Sequence, residues 1–356
     1  MRKSNWELLR ILAMLAIVSG HFFAQTGFTN IYGSGYLFYI AEFLGGGSRI
    51  AVQLFLMLGV WFMVDSQFKA KRVIRLYAQY FYYAFFIVLM LILLGYRYQL
   101  TLGNMVTAIF PYSFGPWFVT IYIGLILLSP YLKRVLSLNR IVLRNLIIIL
   151  FILIAGISTI HKMADTYLDA LSWFCFTYLF IGYYKKYMIN FFDKYTFWKI
   201  LFVAFSAYSF MIMFICIGHT SLQPIFIYIG KIFGNWLGDY KSIPNFIIAF
   251  MFFISFQKID IGSINIVNKI AKSALAVYLI HQGPGIIKPL WFDFFQCDIF
   301  LHGEYPLLYS IGVILSVYII ASCIDVIRIQ YIEPAFLKSR LFYQMENRLD
   351  NFYKNN

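Results

Sequence analysis

Long apolar runs, broken by short polar or basic stretches, recur along the whole chain. Ten segments stand out: 8–24, 50–65, 78–95, 117–132, 143–160, 171–184, 199–217, 243–256, 270–287 and 306–327. None shows the strict alternation of a half-buried strand, and in a bilayer an isolated span must satisfy its backbone internally, so each reads as a helix. A helix needs about 20 apolar residues to cross a hydrocarbon core of about 30 Å. Several segments are shorter, 171–184 and 243–256 most of all, and flanking aromatic residues extend them into the interface. The pattern predicts an all-α fold, a polytopic transmembrane helical bundle of about ten spans.

Composition sets the solvent. Hydrophobic residues make up 62 % of the 356 positions, charged residues only 12 %, and the mean hydropathy is +0.75. A soluble core of this size has no means of burying that much apolar surface, whereas membrane lipid covers it. The net charge of +14 would suit nucleic acid were it not for its distribution. Placing the loops on alternate sides puts about 22 of the basic residues on one side, from Arg2 and Lys3 to the tail beyond Arg328. About six lie opposite (Arg49, Arg97, Lys162, Lys231, Lys241 and Lys288), and Arg10 falls inside the first span. This is a positive-inside pattern with both termini cytoplasmic, and no nucleic-acid partner is expected.

Arg2 and Lys3 precede an apolar stretch as in a secretory signal, but Arg10 interrupts it and no small-residue cleavage site follows, so a retained first helix is expected. Cys175, Cys216, Cys297 and Cys323 are dispersed without metal or disulfide spacing. No repeat, linker or appended soluble domain is apparent. One integral-membrane domain over residues 1–330 and a short cytoplasmic tail over 331–356 account for the chain. Nothing in the sequence specifies an oligomeric state.

Candidate chemistry starts with Arg10 and His21. At 100° per residue, eleven positions are three turns and a small remainder, so the two side chains share one helix face about 16 Å apart. Ionisable groups at such depth usually face a bundle interior or a wet cavity, although both also suit span ends, where long side chains reach the interface. Glu7 lies three residues before Arg10, within ion-pair reach. After the second span, Lys69, Lys71, Arg72 and Arg75 are crowded into FKAKRVIR. Such a cluster is a topology determinant, and its density also suits an anionic head group, which guanidinium binds bidentately. Trp117 opens the fourth span as a helix start after Pro116, or as an interface anchor. Tyr278 and His281 precede a Gly-Pro-Gly break at 283–285, which should line a cavity or the interface. His281 then lies at a depth comparable with His21. His161, His219 and His302 fall in outer loops and are expected to be solvated. No metal-ligand spacing, GxSxG, Walker or GxGxxG element occurs.

Four elements together resemble the membrane acyltransferase-3 family, integral-membrane O-acyltransferases of bacterial surface glycans. They are ELLRILAMLAIVSGH (Glu7 to His21, matching Arg-x10-His), RVIR (Arg72 to Arg75, matching Arg-x-x-Arg), PWFVTIYIGLILLSP, and AVYLIH near the end. They stand in the family's order and cover about the first 330 residues. One departure is visible: where the family commonly has Phe-x-x-Ser-Gly, this chain has Phe55, Leu58 and Gly59, without the hydroxyl. The resemblance implies a multi-pass protein of the bacterial cell membrane. It would transfer an acyl group, most often acetyl, from cytoplasmic acetyl-CoA or another acyl-CoA to a sugar hydroxyl of a glycan or lipid-linked acceptor. No permanently bound cofactor is implied. A sugar hydroxyl needs a base, for which His21 is the first candidate and His281 the second, or an acceptor contact. Arg10 would orient the donor, Arg72, Arg75 and Lys71 would hold its diphosphate, and Glu7, Tyr278 and Trp117 would orient the rest. A transporter or flippase of a glycolipid is the competing expectation, since transporters also place ionisable residues at helix breaks.

Overall fold

The computed structural model describes residues 3–27, 35–97, 100–109, 117–160 and 167–354. His161, Lys162, Arg2 and Pro116, weighed above, lie outside the described residues. The chain is 83 % helical, and no strand occurs among the described residues.

Among the described residues, eighteen α-helices follow in chain order. They are α1 (Ser4–Gln25), α2 (Gly35–Gly45), α3 (Ser48–Val64), α4 (Ala70–Leu93), α5 (Leu102–Ile109), α6 (Trp117–Val135), α7 (Arg140–Phe151), α8 (Ile157–Ile160) and α9 (Tyr167–Tyr183). There follow α10 (Phe197–Thr220), α11 (Pro224–Gly238), α12 (Ile243–Lys258), α13 (Asn265–Ile270), α14 (Ala274–His281), α15 (Ile299–His302), α16 (Pro306–Ile327), α17 (Glu333–Leu337) and α18 (Arg340–Lys354). Wide π turns join α7 to α8 and α16 to α17.

Among the described residues, seven helices are long and apolar enough to cross a membrane: α1, the α2–α3 rod Gly35–Val64, α4, α6, Arg140–Ile160, α10, and the rod Pro306–Leu337. The pair α11 and α12, bent by 53°, brings the number to eight. Of the ten segments expected, 171–184 and 270–287 are the two that lie outside these helices. The 171–184 segment lies on α9, which has 17 residues, fewer than the about 20 that cross a hydrocarbon core. The 270–287 segment is broken twice. A 3₁₀ turn over Ala271–Ser273 precedes α14, and α14 stops at His281 before the Gly-Pro-Gly turn. Two helices were not anticipated. In α2, Glu42 interrupts the apolar run and three glycines follow, which read as a loop; the structure carries the rod through them. In α11, Lys231 and the spaced glycines gave the same impression. Residue 330, where the tail is expected to begin, lies on the rod Pro306–Leu337, and the chain beyond the rod is helical as well. Its α18 lies along α4: Phe342 is buried against Ala70 and Ile74, Asp350 Oδ1 accepts from the Ala70 N–H at 3.0 Å, and the Tyr353 hydroxyl donates to the Leu127 carbonyl at 2.8 Å.

Packing in lipid gains little from apolar burial, so close contact and interior polar bonds hold helices together. Glycines supply the contact. A Cβ on Gly218 would lie 2.6 Å from the Cα of Gly230, so α10 and α11 touch backbone to backbone. A Cβ on Gly20 would lie 2.2 Å from that of Ser48, which seats α1 against the start of α3. Aromatic rings fill the interior: Trp6 packs between Trp61 and Phe253 at centroid distances of 5.3 and 5.0 Å.

Polar ties sort the two ends of the bundle. One end gathers Lys3 with Asp260, Lys258 with Asp193, and Lys185 with Asp65. The other end differs from the sequence expectation. Lys241, read as an outer-loop residue, is wholly buried and paired with Asp169 of α9. His219, read as solvated, stacks on Phe38 at 3.7 Å from the last turn of α10. His302 is exposed as expected.

Candidate active site: a basic cavity and a histidine chamber

Two cavities lie along one face of α1. The stripe at positions 10, 14, 17 and 21 points into them: Arg10 lines a basic cavity, and Met14, Ile17 and His21 line a smaller chamber further along the helix. The opposite face, with Leu12, Ala16 and Ser19, borders an apolar cleft instead.

The basic cavity, about 810 Å³, is walled by Arg10, Lys69, Lys71, Arg72, Arg75, Lys272 and Arg328. These cations come from α1, the start of α4, the turn before α14 and the α16–α17 junction, so only the fold assembles them. The Arg10 guanidinium donates to Glu7 at 2.5 Å, and Glu7 is buried. Arg72 donates to the Ser66 hydroxyl at 2.5 Å. Arg75 pairs with Glu333, whose other oxygen accepts from Arg328 at 2.6 Å. Arg328 in turn pairs with the fully buried Asp325, which also accepts from Tyr83. Each interior charge on this chain of contacts thus has a counter-charge or hydrogen bond, which its depth requires. A second opening of about 660 Å³ shares Arg10, Gly59, Arg72, Leu76 and Tyr122 with the first, so Arg10 and Arg72 stand between the two.

The chamber, about 140 Å³, is walled by His21, Tyr278, Trp117, Ser48, Arg49 and apolar side chains. His21 stacks on Tyr278 with centroids 6.3 Å apart, and Trp117 stacks on Tyr240 at 5.4 Å. His281 is wholly buried behind His21 and is not on the chamber wall. The two rings meet, His21 Nδ1 to His281 Nε2, at 2.8 Å. On its far side, His281 Nδ1 faces the Val277 carbonyl at 2.6 Å. A carbonyl only accepts, so His281 Nδ1 carries a proton. With both rings neutral, His281 Nε2 accepts from His21 Nδ1–H, and His21 Nε2 keeps its lone pair. The sequence placed these histidines at matching depth; the structure brings them into contact.

Phe55, Phe118 and Leu275 line both cavities and form the collar between them. Arg10, Lys71, Arg72 and Arg75 therefore gather at one cavity, with Glu7 behind Arg10 on the second opening, and His21, Tyr278 and Trp117 gather at the other. Sequence reasoning missed several wall residues. Arg49 was counted only as a loop charge. Arg328 was assigned to the tail, although Asp325 three residues earlier repeats the Glu7–Arg10 spacing. Tyr122 sits one turn after Phe118 and its hydroxyl lies against Gly59, where a Cβ would approach it to 2.4 Å. It sets a hydroxyl on this wall beside Gly59. Among the described residues, no group of three or more His, Cys, Asp or Glu side chains could hold a metal.

No curated protein and no solved structure matches the chain. A family model described as an acyltransferase domain matches residues 3–324, which includes the helices that carry both histidines, the collar and six of the seven cations. The chain belongs to the acyltransferase-3 family of membrane acyltransferases.

Proposed function

We propose that this acyltransferase moves an acyl group, acetyl foremost, from cytoplasmic acyl-CoA to a sugar hydroxyl of a cell-surface glycan or its lipid-linked precursor. His21 is the general base, and the protein resides in the bacterial cell membrane with its basic end and both termini in the cytoplasm. One observation carries the reading: a cation-lined cavity and a histidine chamber lie on the same stripe of α1 and share the Phe55–Phe118–Leu275 wall.

The basic cavity suits the nucleotide end of the donor. Arg72, Arg75 and Lys71 meet the diphosphate, where guanidinium pairs with phosphate oxygens in bidentate fashion. Arg10, fixed by Glu7, orients the arm where it leaves the cavity. The separation of about 16 Å between Arg10 and His21 along the helix is spanned by the extended pantetheine arm, which brings the thioester through the collar.

In the chamber, the acceptor hydroxyl gives its proton to His21 Nε2 as its oxygen attacks the thioester carbonyl carbon. The C–S bond breaks, and His21 returns the proton to the thiolate, giving CoA thiol and the ester. A positioned base of this kind contributes about 10²–10⁴-fold. His281 acts through His21: by accepting from Nδ1–H it keeps the lone pair on the chamber-side nitrogen, a positioning role. Trp117 and Tyr278 provide flat walls for the reacting groups.

The test uses membranes from expressing cells and radiolabelled acetyl-CoA, with mass spectrometry of the surface glycan for the added acetyl mass. His21→Ala at normal protein level is expected to abolish transfer. Full transfer by that variant would remove His21 from the base role.

A further inference from the structure

Helix α4 carries Lys71, Arg72 and Arg75 in its first two turns, with Lys69 just before them, and all four line the basic cavity. This stretch sits at the margin of the bundle's core. The buried residues of α4 that join the main core begin at Tyr80, whereas Ala70 and Ile74 belong to a separate cluster whose third buried member is Phe342 of α18. The helix start also has no cap of its own. Its N-cap residue is Lys69, whose side chain has no acceptor to offer the open N–H groups.

The missing anchors come from the C-terminal helices, which lie beyond Ile324, the last residue that the acyltransferase family model matches. Asp350 Oδ1 accepts from the Ala70 N–H at 3.0 Å, so a carboxylate from the far end of the chain caps α4 and faces the positive end of its dipole. Phe342 covers Ala70 and Ile74, and the Lys71 ammonium lies 5.8 Å from the centre of its ring. The Tyr353 ring packs on Phe68 at 4.1 Å, while its hydroxyl donates to the Leu127 carbonyl and ties α18 to α6. One turn further along α4, Glu333 of α17 pairs with both Arg75 and Arg328 on the cavity wall. These contacts fall on or beside the turns that carry the cations.

We infer that α17 and α18 form a clasp that positions the cations of α4 for the donor diphosphate, with Asp350 and Phe342 as positioning residues. This inference rests on the acyl-CoA reading above. Released from the clasp, the first turns of α4 fray, because an uncapped helix end outside the main core opens easily. Cations on a frayed turn offer phosphate no fixed arrangement. Apparent affinity then falls with the fraction of molecules in which the turn is formed.

Calorimetric titration of CoA into the purified full-length protein in detergent tests the clasp without an acceptor. Asp350→Ala is expected to weaken CoA binding about fivefold, the scale of a lost helix cap. Asp350→Ala/Phe342→Ala should weaken it about tenfold or more, since the ring over Ala70 and Ile74 is then lost as well. Asp350→Asn keeps an acceptor oxygen and should stay within about twofold of the parent. Gly218→Ala serves as the control for a general folding defect. It forces α10 from α11, neither of which lines the basic cavity, and should lower the thermal midpoint while leaving CoA affinity unchanged. Parental affinity in the double variant, no recovery in Asp350→Asn, or an equal loss in Gly218→Ala would overturn the inference. If the parent itself does not bind CoA, the acyl-CoA reading fails and the clasp loses its ligand with it.

Discussion

Two ionisable residues on one apolar stripe attract attention because the bilayer charges for them, and the structure accounts for where each ends up. Arg10 meets a buried carboxylate at 2.5 Å; His21 meets a second imidazole. The Val277 carbonyl settles the tautomers of both rings, which makes His281 testable separately from His21. His281→Phe keeps a ring of similar size but no acceptor for His21 Nδ1–H. Turnover is expected to fall about a hundredfold with the donor KM unchanged, read from initial rates over a range of acetyl-CoA concentrations. Unchanged turnover would make His281 a packing residue only.

At the scale of elements, the chamber walls depend on helices far from α1 in sequence. Trp117 stacks on Tyr240, whose carbonyl accepts from Gln53 of α3 at 2.7 Å. The next residue, Lys241, is tied to Asp169 of α9. The turn between α11 and α12 is thus a buttress behind the chamber, and Asn245 clamps it by donating to the carbonyls of Trp236, Leu237 and Asp239. Asp169→Asn removes the carboxylate opposite a fully buried ammonium, a loss of about 3–5 kcal/mol. It should lower the thermal unfolding midpoint in detergent. The double variant Asp169→Asn/Lys241→Met should recover part of that loss, because the buried ammonium left opposite the amide is then removed as well. A midpoint equal to that of the parent would show the pair to be dispensable.

For the whole molecule, the alternation of ends gives a topology that can be checked directly. Single cysteines placed at Ser137 and Lys194, on a background lacking the four native cysteines, should react with a membrane-impermeant maleimide only after the cells are opened. Cysteines at Gly303 and Glu304 should react in intact cells. The opposite labelling would invert the bundle and move the basic cavity away from cytoplasmic acyl-CoA. The C-terminal helices share in this architecture, since α17 brings Glu333 to the basic cavity and α18 packs along α4. Removal of α18 exposes the Ala70–Ile74–Phe342 cluster, and faster proteolysis at the start of α4 is the expected result.

The sequence by itself determined the solvent and the helical class, because hydropathy and the backbone's need for internal hydrogen bonds are local properties. It also determined that Arg10 and His21 share a face, since helical period alone places them, and its four ordered motifs pointed to the family. It passed over α2 and α11, where a glutamate, a lysine and several glycines interrupt the apolar pattern; Gly46 and Gly230 allow close packing only once neighbouring helices are present. Tertiary structure decided what no spacing encodes. It joined His21 to His281 across 260 positions, assembled seven cations from four stretches of chain, and placed Phe55, Phe118 and Leu275 between the two cavities. These are contacts between helices distant in sequence, set by side-chain packing and polar pairing where apolar burial gives little direction.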